Sequence, residues 1–290
     1  FAVDDVRTVK LAPWDRKGGD GAFVNLEGTG GSNDAYICEI PARDQLKPQR
    51  HLYEEMVYII EGRGSTSVWY RPDEKSTFEW QAGSLFSIPL NAWYQHINAG
   101  SRPARYLAVT NAPLMMNLFH NMDFVFNNPF AFEDRFGGEQ TYFDGSGTLH
   151  RRRVLQTNFV PDTHAITLYD YPERGGGGSH VSFELAHNTM AAHISEFVPG
   201  TYKKAHRHGP GAHVIILHGE GNSLLWPQGA DTARVDWHPG SMVVPPDNWF
   251  HQHFNSGRAT ARYLALRWGS KRYGLGGLFG TGEGTDVDIN

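Results

Sequence analysis

One cysteine, Cys38, occurs among 290 residues. That excludes an intramolecular disulfide and a cysteine-rich zinc site. It fits a reducing, cytoplasmic setting, with a removed signal peptide left open because the chain starts at Phe1 rather than Met. No run of 18 apolar residues is present, so no transmembrane helix and no membrane partner are expected. Basic runs are missing too. The nearest, Arg151-Arg152-Arg153, reads as a solvated turn, and a net charge of −5 gives no footprint for nucleic acid. Neither a Gly-x-Ser-x-Gly elbow nor a phosphate-binding Gly-x4-Gly-Lys loop occurs, so no side-chain nucleophile or nucleotide site is signalled. Helix signals are scarce as well.

What the chain does have is an internal repeat. Residues 49–108 fall without a gap on 206–265, a shift of 157 positions. Gly62 meets Gly219, Trp69 meets Trp226, Trp80 meets Trp237, Gly83 meets Gly240, Pro89 meets Pro246, and Asn98 meets Asn255. Arg105-Tyr106-Leu107-Ala108 recurs as Arg262-Tyr263-Leu264-Ala265. The chain is therefore two copies of one unit, and function is expected where the copies differ. Glycine and proline punctuate short runs rich in β-branched and aromatic residues, the pattern of an all-β protein. Matched examples are Met56–Ile60 with Val214–Leu217, and Ser84–Ile88 with Ser241–Val244.

The sequence divides into an N-terminal unit at 1–111, an aromatic connector at 112–145, a C-terminal unit at 146–273 and a Gly-rich acidic tail at 274–290. In the connector, Pro113–His120 predicts one or two helical turns. The phenylalanines after it, Phe124 to Phe136, read as packing across the seam between units or as a lid or dimer contact.

The copies differ most in histidine. The second copy carries His206-x-His208, and later His251 followed by Asn255. Two histidines at i and i+2 on a strand share a face. A third from a neighbouring strand closes a set of neutral imidazoles suited to Fe, Zn, Cu or Ni. In the first copy the corresponding positions are Gln49, His51 and Tyr94, so the second copy is expected to hold the metal and the first to be degenerate. His213 reads either as a fourth ligand, if the Gly209-Pro210-Gly211 loop shifts the register, or as a residue turned away by strand alternation. His253 shares a strand face with His251 but recurs as His96 in the copy without ligands, which favours a structural role. His180, His187, His193, His218 and His238 read as surface or satisfied core residues. Trp249, Trp226, His253 and Arg262 are pocket candidates. Trp226 and Arg262 also have repeat mates, Trp69 and Arg105, which argues for structural roles, whereas Trp249 faces Ala92 in the first copy.

The spacing Gly200-x5-His206-x-His208, with Gly219, then Gly240-x5-Pro246-x-Asn248-x2-His251-x3-Asn255, resembles the two motifs of the cupin superfamily. The resemblance covers about 30–110 and 187–268, so the chain looks like a bicupin. It implies a tandem duplicated antiparallel β-barrel or jelly roll with the metal inside its mouth and a short, partly helical connector. Cupins typically add a glutamate to the ligands. That position is Ala212 in the second copy and Glu55 in the first. An all-histidine set resembles the cupin sites that are frequently non-haem iron oxygenases. The resemblance therefore implies one divalent metal per chain, Fe(II) before Zn, Mn, Ni or Cu, in a dioxygenase that acts with O2 on a small aromatic or oxygenated metabolite. The competing readings are a Zn- or Mn-dependent isomerase or hydrolase and a non-catalytic small-molecule-binding or regulatory bicupin. A homodimer is expected from the family habit and the aromatic connector.

Overall fold

The structure is a computed structural model that describes residues 1–29, 31–150, 153–209, 211–270 and 287–289. The Gly-rich tail expected at 274–290 lies outside the described residues except for a strand at Val287–Ile289.

Each repeat folds into one large and one small sheet. In the first half the large sheet runs in the order Phe159–Val160, Leu85–Ile88, Glu55–Glu61, Ala104–Thr110, Asp34–Ile40, Gly19–Val24, Ala12–Trp14. The small one runs Asp44–Gln45, Trp93–Asn98, Arg63–Trp69, Ser76–Gln81. In the second half the large sheet follows Ala2–Val3, Met242–Val243, His213–His218, Ala261–Trp268, Met190–Phe197, Ser179–Glu184, Val154–Thr157, Gly147–His150. The small sheet follows Ala233–Trp237, Gly221–Trp226, Phe250–Asn255, Ala205–Arg207, Val287–Ile289.

The expected antiparallel barrels are not formed. Among the described residues all four sheets are open, and none returns to pair with its own first strand. One pairing, Val154–Thr157 with Ser179–Glu184, is parallel, so the architecture is all-β and mixed. Within each half the sheets meet through side chains, not through a closed hydrogen-bond ladder. Tyr36, Cys38, Val57 and Ile59 of the large sheet pack with Val68, Phe78, Trp80 and Tyr94 of the small one. Phe197, Val214, Ile216 and Tyr263 pack with Leu225 and Trp237 in the second half.

The alternate residues of the large sheets face each other. Ile37, Met56, Leu107 and Val109 form one apolar cluster with Phe183, Ile194, Ile215, Leu217 and Leu264. Both faces of the central strands of each large sheet are thus buried, which explains their nearly continuous apolar runs.

The halves also exchange a segment. Ala2 and Val3 pair with Val243 and Met242 of the second half, while Phe159 and Val160 pair with Phe86 and Leu85 of the first. These pairings are related by the repeat shift. The exchanged segments are clamped alike: Arg105 donates to the carbonyls of Arg7 and Val9 and pairs with Glu39, and Arg262 donates to those of His164 and Ile166 and pairs with Glu196.

The connector forms two helices, α1 (Ala112–Phe119) and α2 (Met122–Asn127). The second was not foreseen; Asn121 caps it by accepting from the Phe124 amide at 2.9 Å. The segment rests on the first half. The Leu52 amide donates to the Val125 carbonyl, Asn91 donates to the carbonyls of Asn128 and Phe130, and Phe136 is buried in the first core.

Candidate metal centre

Strands Ala205–Arg207 and Phe250–Asn255 pair with His206 opposite His251. His208 lies two residues on, across the strand end, and so keeps the face of His206. A turn through Asn248, at a left-handed φ of 60°, leads into the His251 strand, and its amide donates to the His208 carbonyl at 3.1 Å. Asparagine tolerates that conformation better than most residues. The result is a cluster of three imidazoles with ring centroids 4.3 Å (His206–His251), 4.9 Å (His208–His251) and 5.4 Å (His206–His208) apart. One nitrogen from each lies within 4.8 Å of the others, so the cluster is able to chelate a divalent ion. Among the described residues it is the only such group of three or more His, Cys, Asp or Glu.

The backbone prepares two of these rings. His206 Nδ1 lies 2.9 Å from the Lys204 carbonyl and His251 Nδ1 lies 3.3 Å from the Trp249 carbonyl. A carbonyl only accepts, so each Nδ1 must carry the hydrogen. That leaves the Nε2 lone pairs for a metal, the usual outer arrangement of ligating histidines. His206 and His208 are half-buried and His251 is buried.

His213 is not brought to this cluster. It shares its strand face with Ile215 and Leu217, which belong to the seam between halves, whereas Val214 and Ile216 face the inner core. No register shift intervenes. It is fully buried, with no hydrogen-bond partner at either nitrogen among the described residues, and burial pushes its pKa down to about 4. Its repeat mate is Met56, an apolar member of the same seam.

The four pocket candidates separate. His253 is on the inner face but committed: the Trp237 indole donates to the Ser223 hydroxyl at 3.1 Å, which is 2.7 Å from His253 Nδ1. Trp80, Thr66 and His96 repeat this at 2.8 and 2.7 Å. Burial lowers both imidazoles to about 3. Trp226 pairs in register with Phe250 and stacks on it at 5.7 Å, while its neighbours Leu225 and His251 face inward. Alternation therefore puts Trp226 on the outer face. Arg262 is held in the clamp described above. Trp249 packs at the edge of the inner core and touches the Phe1 ring at 5.3 Å, beside the His251 turn.

In the first half the matching positions form a closed polar network. His51 Nδ1 lies 2.8 Å from the Tyr53 carbonyl, while its Nε2 faces the Tyr94 hydroxyl at 3.2 Å and Glu55 at 3.4 Å. Gln49 donates to the Arg16 carbonyl at 2.8 Å. Into this space comes a residue that sequence reasoning missed. The ammonium of Lys17, 2 % exposed, donates to Tyr36 at 2.7 Å and Tyr94 at 3.0 Å, and Tyr36 donates to Glu55 at 2.7 Å. Burial alone would raise the Glu55 pKa. The Lys17 charge and the hydrogen bond from Tyr36 hold it below the ordinary range instead. The first half thus carries its own internal cation beside Tyr94, the mate of the ligand position His251.

Comparison with known proteins fits this geometry. Residues 36–110 match the family model described as a cupin domain, which falls on the half without the histidine cluster. No curated protein matches the sequence. Among solved structures, the Lactobacillus farciminis oxalate decarboxylase formate complex aligns with a TM-score of 0.63 at 13 % identity, covering 99 % of this chain and 88 % of that one. The coconut allergen cocosin aligns with a TM-score of 0.62 at 14 % identity, covering 93 % and 85 %. The R92A mutant of Bacillus subtilis oxalate decarboxylase aligns with a TM-score of 0.61 at 11 % identity, covering 99 % and 79 %. At such identities the likeness concerns the fold, and one fold that serves both a decarboxylase and an allergen does not choose a function. The chain has a cupin-type, bicupin-like fold.

Proposed function

We propose that this chain is a metal-dependent bicupin enzyme whose single centre is His206, His208 and His251, and that it is a non-haem Fe(II) dioxygenase for a small oxygenated metabolite. The donor set is the observation that carries the reading. Three neutral imidazoles leave a divalent ion its full charge, and among the described residues no carboxylate or thiolate joins them; Ala212 stands where Glu55 stands in the first half. Three protein ligands leave coordination positions open, the arrangement of catalytic rather than structural sites. A metal bound there would supply a place for O2 and a chelating substrate side by side. The chain's own part is to fix the two Nδ1 hydrogens on backbone carbonyls. The alignment with oxalate decarboxylases, enzymes named for a small acid, supports a small oxygen-rich substrate. Formation of a homodimer is part of the same reading.

The test is coordination. Chain loaded anaerobically with Fe(II) and exposed to nitric oxide is expected to give the axial electron-paramagnetic signal of a high-spin iron nitrosyl, and His206→Ala is expected to lose it. Bound iron that gives no such signal would mean that no position is open, and the oxygenase reading would fall.

A further inference from the structure

The large sheet of the second half presents another row of imidazoles to the same interior, at positions that differ from the first half. Strand register places His193 opposite Ala265, where the first half places Tyr36 opposite Ala108. The two slots are equivalent by the repeat shift. Their neighbours correspond as well: Tyr36 lies 6.0 Å from Tyr106, and His193 lies 5.8 Å from Tyr263. In the first half the Tyr36 hydroxyl reaches Lys17 and Glu55, so a side chain in this slot addresses the ligand positions directly. In the second half Glu55 is replaced by Ala212, and the slot holds an imidazole, shorter than a phenol. Two groups that fill the first interior are thus cut back on the side facing the histidine cluster.

The imidazole is backed by a second one. His180 lies 5.0 Å from His193, with its Nδ1 2.9 Å from the Ser195 hydroxyl and its Nε2 2.8 Å from the Ser182 hydroxyl. Bonds at both ring nitrogens fix its plane. At the same slots the first half has Phe23, Cys38 and Asn25, so two apolar groups have become polar. The rings continue to the cluster: Tyr263 is 5.5 Å from His253, and His253 is 5.6 Å from His251. Imidazoles and hydroxyls offer hydrogen-bond donors and acceptors to oxygen atoms where the first half offers an aromatic ring and a thiol.

We propose that His193, steadied by His180, is the residue that receives an oxygen of the substrate at the His206–His208–His251 centre, and that the substrate is a small acid or enol that offers its oxygens both to the metal and to this imidazole. The inference rests on the metal-centre reading above. His193 acts as a positioning and specificity residue, not as a metal ligand.

The test uses the Co(II)-loaded chain, whose visible d–d absorption reports both the metal and its exogenous ligands, with acetohydroxamate as the bidentate oxygen probe. His193→Phe is expected to bind one Co(II) with an unchanged spectrum and to weaken acetohydroxamate binding by about tenfold or more, the worth of one charge-assisted hydrogen bond. His193→Gln, which keeps a hydrogen-bonding group, is expected to recover part of that loss and serves if the Phe variant does not fold. Unchanged acetohydroxamate affinity in a Co(II)-loaded variant overturns the proposal and leaves the metal centre standing. Loss of Co(II) itself on replacing His193 also overturns it, by placing the residue among the ligands. A wild-type chain that takes up no Co(II) overturns both readings.

Discussion

The interiors of the two halves began from one pattern and now differ in how they hold positive charge. The first keeps a glutamate, a histidine and two phenols around the buried ammonium of Lys17. The second has no carboxylate at the Glu55 position and gathers three imidazoles instead. An internal ammonium needs no exchangeable partner; an imidazole cluster is able to chelate a divalent ion instead. On the reading proposed above, exchanging a few inward residues turns one interior closed and the other open to a ligand. What stays alike is the scaffold: the Trp–hydroxyl–His chains and the arginine clamps recur with the same partners.

The comparison can be broken at several points. The largest effect is expected from Lys17→Met, which leaves Glu55 buried without its cation. Breaking one side of a buried charge pair costs about 3–5 kcal/mol, and chemical denaturation should show that loss. The double variant Lys17→Met/Glu55→Gln should recover much of it. If Lys17→Met is neutral, the ammonium does not balance Glu55.

A smaller effect of opposite sign is expected from His213→Met, which installs the first half's residue at the seam. The folded seam depresses the His213 pKa from 6.5 to about 4. Between those pH values the unfolded chain binds a proton that the folded chain refuses, so His213 makes stability fall as pH drops through that window, by about 3 kcal/mol at most. His96 and His253 add slopes of the same sign, so the measurement is the difference between wild type and variant in melting temperature at pH 7 and pH 5. The variant should gain more at pH 5 and keep its metal. Loss of metal would instead make His213 a ligand.

The smallest effect belongs to Trp226→Ala. It removes one outer-face stacking partner, worth about 1 kcal/mol, and metal content should not change. A drop in metal content would show that the outer face of the small sheet communicates with the site.

Much of this site was legible in the sequence because strand alternation and an ungapped repeat are local signals. They gave the two units, the glycine turns and the gathering of His206, His208 and His251. They also supplied a rule that, applied to Leu225 and His251, would have turned Trp226 outward. Closure was not legible. Periodicity identifies strands and their faces, but whether edge strands meet depends on distant pairings, and the sheets here stay open. The segment exchange escaped for a related reason: residues 2–3 and 159–160 lie outside the aligned block 49–108 and 206–265, and their equivalence shows only in their pairing. Lys17 lies in a turn outside the matched repeat, so nothing marked it as the partner of Tyr36 and Tyr94. The signal for His193 was available, since the shift that aligns the copies places it on Tyr36, but the aligned block began after that strand.

The most direct test of the account is metal content per chain, measured by mass spectrometry on anaerobically purified wild type beside His208→Ala and His51→Ala. The account expects about one transition-metal ion per chain in the wild type, none in His208→Ala and one in His51→Ala. Two ions per chain, or loss of the metal in His51→Ala with retention in His208→Ala, would contradict it.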